Sequence, residues 1–75
     1  MQRLSPTKLT DARSAAGLTR EQVAVAVGRS FASIAGYERG RILPPADVLA
    51  RMADLYDVGV GTLFTMEDDA TSVAS

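Results

Sequence analysis

Apolar residues recur along this 75-residue chain at intervals of three and four, the spacing of one face of a helix, in four successive blocks. The first block is Leu9, Ala12 and Ala16; the second is Val23, Ala24 and Val27. The third is Ile34 and Tyr37, and the fourth Val48, Leu49, Met52 and Ala53, ending in Leu55 or Tyr56. Polar and turn-forming residues punctuate the blocks. Ser5 stands where a helix N-cap is needed, and Pro6 suits a first helical position, where its missing N–H would have no partner. This predicts a helix from about Pro6 to Ala16, stopped by Gly17. Thr19 and Gln22 form a capping box that opens a second helix over about Arg20–Val27. Ser30 caps a third, from Phe31 to Arg39, closed by Gly40. Arg41-Ile42-Leu43-Pro44-Pro45 reads as an extended connector, because a residue before proline avoids helical geometry. A fourth helix starts near Pro45 or Ala46 and reaches Tyr56, with Asp47 complementing its dipole. A short fifth is expected over Val60–Phe64. No segment alternates with the period of a strand. The expected class is therefore all-α, a compact bundle of about five short helices.

A chain of this length makes one small domain. Residues 1–66 hold the periodic segments, and 67–75 form an acidic, then small and polar, tail expected to be disordered. Cysteine and histidine are both absent. Disulfides, thiolate metal sites and histidine-based catalysis are thereby excluded. Glu67, Asp68 and Asp69 are adjacent carboxylates without converging geometry, so no metal site is expected, nor any cofactor. No nucleophile–base pair or phosphate-cradling glycine loop is present, which argues against an enzyme. The longest apolar run, Val23 to Val27, is far too short to span a bilayer, and no apolar signal segment follows Arg3; a cytoplasmic protein is expected.

Charge changes the picture more than composition does. The formal net charge is −1. Residues 1–41 carry seven basic against three acidic side chains, a balance of +4, whereas residues 42–75 carry one against six, a balance of −5. The split predicts one basic and one acidic face.

The segment Arg20–Gly40 concentrates the candidate chemistry. Small Ala24 stands where two helices must nearly touch, Gly28 stands where the chain must turn, and Ile34 and Tyr37 point back into a shared core. That is the pattern of a helix-turn-helix, whose second helix enters the DNA major groove. Leu9-x-x-Ala12-Arg13-x-x-x-Gly17-Leu18-Thr19, Val23-Ala24-x-x-Val27-Gly28-x-Ser30 and Ile34-x-x-Tyr37-Glu38-Arg39-Gly40 occur in order. Pro44 through Leu49, Ala53-x-x-Tyr56-x-Val58 and Leu63-Phe64 follow. Over about three quarters of its length the chain resembles the Cro and lambda-repressor-like helix-turn-helix family, of the xenobiotic-response-element type.

The resemblance implies a lambda-repressor-like bundle that binds double-stranded DNA sequence-specifically. It places the base-reading positions on Phe31, Ala32, Ser33 and Gly36, beside the cap Ser30, and implies an ion pair between Arg13 and Glu38. Arg20 stands where the family often has a phosphate-clamping glutamine, and Arg29 where an apolar residue is usual. None of the base-reading positions carries a bidentate amide or guanidinium, so modest base discrimination is expected, supplemented by DNA shape and phosphate contacts. Phe31 has two readings, a groove wedge or a packing residue. Arg20, Arg29, Arg39 and Arg41 are the expected phosphate contacts, against the alternative of ordinary surface arginines. A single recognition helix covers few base pairs, which calls for a homodimer; Leu63, Phe64 and Met66 are interface candidates, or else plain core. Two functions follow: a DNA-binding transcriptional regulator (a repressor or a Cro-like switch), or a protein-interaction module, an antitoxin or a partner of the transcription machinery, using the same bundle.

Overall fold

Each of the first three helices begins on a side-chain cap. In the computed structural model, which describes residues 2–66, helix α1 (Pro6–Ala15) opens with the Ser5 hydroxyl accepting from the Lys8 N–H at 3.2 Å. Helix α2 (Arg20–Val27) opens with both halves of its box formed: Gln22 N–H donates to Thr19 Oγ1 at 3.1 Å, and Thr19 N–H donates to Gln22 Oε1 at 2.8 Å. Helix α3 (Phe31–Glu38) opens with Ser33 N–H donating to Ser30 Oγ at 3.0 Å. Such caps satisfy backbone donors that a helix cannot use itself, each for about 1 kcal/mol. Helix α4 (Ala46–Tyr56) has no side-chain cap; Pro45 sets its entry and Asp47 lies in its first turn.

Gly28 separates α2 from α3 at φ 71°, a left-handed conformation that costs an L side chain about 1–2 kcal/mol. The chain can therefore turn within three residues and pack α3 against α2, with Ala24 of α2 buried. The apolar stripes converge on one core. Leu9 from α1, Val23 and Val27 from α2, Ile34 and Tyr37 from α3, and Val48, Met52 and Tyr56 from α4 are all buried. Leu55, the other reading of the α4 stripe, lies at the surface.

Two features depart from the expected five helices. Val60–Leu63 is a 3-10 turn rather than an α-helix, so the α-helices among the described residues number four. Gly59 and Gly61 disfavour a longer helix, and Thr62 N–H closes the tighter loop onto Gly59 C=O at 3.0 Å. Strand β1 (Gln2–Leu4) also pairs antiparallel with β2 (Phe64–Met66), Leu4 opposite Phe64. Three-residue strands offer too few positions for alternation to show, and this pairing joins the two ends of the described chain. Ser5 N–H to Leu63 C=O (2.9 Å) and Lys8 Nζ to Phe64 C=O (2.9 Å) fasten the ribbon to α1. Leu63 is 1% exposed and belongs to the core, which removes it as an interface residue; Phe64 packs against the core and Met66 is exposed. The acidic tail, including Glu67, Asp68 and Asp69, lies outside the described residues. No helix among the described residues is long and apolar enough to cross a membrane.

Candidate nucleic-acid interface

The C-terminal end of α3 is held by a buried carboxylate shared between two arginines. Arg13 Nε donates to Glu38 Oε2 at 2.7 Å and Arg13 Nη2 to Oε1 at 3.3 Å, while Arg20 Nε donates to Oε1 at 2.8 Å. The Glu38 side chain is 0% exposed, Arg13 15% and Arg20 27%. Burial alone would raise the Glu38 pKa; the hydrogen bonds from Arg13 and Arg20, with their charges, outweigh it and hold the carboxyl below 4.5. Arg13 Nη1 also donates to Leu18 C=O at 2.7 Å, so α1, the α1–α2 loop, α2 and α3 meet at this point. Glu38 carries one negative charge against two positive ones, and the surplus emerges at Arg20, the more exposed partner. Arg13 was the one partner expected for Glu38. Arg20, an expected phosphate contact, also turns inward to Glu38, a hydrogen bond that depends on how α2 packs against α3.

Tyr56 belongs to the same electrostatic neighbourhood. Its hydroxyl is buried and has no hydrogen-bond partner among the described residues. Burial, helped by the negative charge of Glu38, pushes its pKa up to about 12. Nothing in the one-dimensional pattern marks this hydroxyl, because Tyr56 reads there simply as an apolar-stripe residue.

The N-terminal end of α3 is open. Ser30, Phe31 and Ala32 are exposed and Ser33 is half-buried. Ser30 Oγ, besides capping the helix, donates to Ser33 Oγ at 3.0 Å, leaving the Ser33 proton to donate elsewhere. Phe31 is 49% exposed and forms one wall of a groove of about 420 Å³ with Ala32, Ala35, Gly36, Arg39, Arg41 and Ile42. Arg29, Arg39 and Arg41 are exposed, and none pairs with a carboxylate among the described residues.

Gly36 departs from its expected place at the groove surface. It is buried, and its carbonyl accepts from the Arg41 N–H at 2.9 Å and the Ile42 N–H at 3.4 Å. A Cβ at this position would lie 2.6 Å from Ile42 Cγ1 and 2.8 Å from Cδ1, so the connector after α3 lies on the helix where a side chain would otherwise project. Ile42 is thus a surface residue of this face that the α3 pattern alone does not reveal.

Residues 7–63 match the family model described as a helix-turn-helix domain. An uncharacterized HTH-type transcriptional regulator of Bacillus subtilis (strain 168), YobD, is 40% identical over 62 residues, which cover 83% of this chain and 55% of that protein. The chain thus spans little more than half the length of that relative. No solved structure gives a significant match.

Proposed function

Because the chain belongs to the helix-turn-helix domain family, we propose that it is a sequence-specific, double-stranded-DNA-binding transcriptional regulator, a repressor or Cro-like switch working in the cytoplasm. Family membership sets the enzyme reading aside. The observation that carries the proposal is the open first turn of α3 lying beside a groove rimmed by Arg39 and Arg41, neither of which is neutralised by a carboxylate among the described residues. A polyanion is the natural complement of such a face.

In this reading α3 enters the major groove. Ser30, Phe31, Ala32 and Ser33 approach base edges, with Ser33 offering a donor. Arg29, Arg39 and Arg41 contact phosphates on either side, and Arg20 adds the outward edge of a guanidinium whose inner edge Glu38 holds. Gly36 serves as backbone support rather than as a reader. Two copies bind a two-fold site, with Phe64 and exposed Met66 as interface residues.

Selection of binding sites from random duplexes, followed by a footprint, tests the reading. A recurrent, two-fold-related site is the expected result, and failure to enrich any duplex refutes it. Sedimentation at micromolar concentration tests the dimer separately; a monomer with and without the selected duplex removes that part alone.

A further inference from the structure

Resting on that reading, we infer that the groove beside α3 recognises the C5-methyl group of thymine, and that Ile42 of the α3–α4 connector determines this specificity. The groove is apolar except for its rim. Phe31, Ala32 and Ala35 line it from α3, Ile42 closes the opposite wall, and Arg39 and Arg41 are its charged members. Phe31 and Ile42 are each about half-exposed, at 49% and 48%, and both present apolar surface to this groove. Two uncompensated arginines beside an apolar recess suit a ligand with negative charge at its edges and an apolar group between them. In a DNA major groove the phosphates supply the charge, and the thymine methyl is the one apolar group on any base edge.

Gly36 explains why Ile42, a connector residue, reaches this position. The backbone at Gly36 accepts two N–H groups from the connector, and the missing Cβ leaves the space that Ile42 Cγ1 and Cδ1 fill. A larger residue at position 36 would drive Ile42 off the helix. Gly36 therefore acts as a positioning residue, and the surface that a base meets at that point of α3 is the Ile42 side chain.

The test replaces each thymine of the selected site in turn by deoxyuridine, which removes only the methyl group, and measures affinity for the wild-type chain, Ile42→Ala, Gly36→Ala and Phe31→Ala. At one or two positions the wild type should lose affinity about fourfold, the worth of burying one methyl-sized group. Ile42→Ala should bind the thymine and uracil forms equally at one of those positions. Gly36→Ala should give the same loss there although it keeps the isoleucine. Ile42→Val, which lacks only Cδ1, should fall between. A uracil profile for Ile42→Ala identical to that of the wild type overturns the inference, as does a sensitivity lost in Phe31→Ala alone. A wild-type chain that selects no duplex removes the proposed function itself, a distinct failure. Ile42 is half-exposed, so unchanged melting of its variants will separate a recognition effect from unfolding.

Discussion

The two ends of α3 obey opposite rules. At its C-terminal end Glu38 is fully buried, accepts hydrogen bonds from two arginines and ties together α1, α2 and α3. At its N-terminal end Phe31 and Ala32 face solvent, with Ser30 as a cap. One end fixes how the helix is aimed, and the other is free to meet a ligand. Low-dielectric surroundings make the buried end intolerant of change: removal of one charge strands the others. The open end can vary without unfolding the molecule, so specificity can change there while the scaffold stays the same.

The largest effect is expected at Glu38. Glu38→Ala should destabilise the fold by about 3–5 kcal/mol, because two partly buried guanidinium groups lose their shared partner, whereas Glu21→Ala should change stability by no more than about 0.5 kcal/mol. Thermal melts check this, and equal melting temperatures for the two variants would refute the role of the buried cluster.

The pH dependence sharpens the same end of the helix. Glu38 titrates lower in the folded chain than in the unfolded one, so its contribution is present above about pH 4.5 and is lost as pH falls through the lower folded value. Tyr56 behaves in the opposite sense. Its pKa is raised from 10.0 to about 12, so stability present below pH 10.0 should be lost between there and pH 12. That loss amounts to about 2 kcal/mol. Tyr56→Phe should flatten the alkaline limb in a denaturant titration across that window. At neutral pH the same variant should be neutral or slightly stabilising, since it deletes a buried hydroxyl that has no partner.

Smaller effects are expected at the open end. Ser30→Ala should cost about 1 kcal/mol through loss of the cap. Phe31→Ala should change stability in urea unfolding by less than Ser30→Ala does, within about 0.5 kcal/mol, while still altering DNA affinity. A large loss of stability in Phe31→Ala would show that this ring packs as core and would erase the contrast between the two ends.

Much of the scaffold was readable from local chemistry. Ser5, Thr19 with Gln22, and Ser30 announce helix starts within a few residues of the donors they satisfy, and the stripes through Leu9, Val23, Ile34 and Met52 identify the buried faces. What escaped depends on contacts between distant segments. The ribbon of Gln2–Leu4 with Phe64–Met66 joins segments that show no period of their own. Leu63 was open to two readings, and the packing of the 3-10 turn against α1 and α4 resolves it as core. Arg20 reaches Glu38 because α2 packs against α3. Gly36 looked like a place for close approach to DNA, but its partner in close approach is Ile42. The family resemblance pointed to the first turn of α3, with Phe31 open to two readings, while the connector folded against the helix at Gly36 became visible only in three dimensions.

If the arginine-bearing side of α3 faces a duplex, the salt dependence of binding to the selected site must differ between the wild type, Arg39→Ala and Arg41→Ala. Log affinity should fall linearly with log salt concentration, and each substitution should make the slope shallower by about 0.9, the counterion release of one phosphate contact. Slopes identical in all three proteins, or binding indifferent to salt, would contradict it.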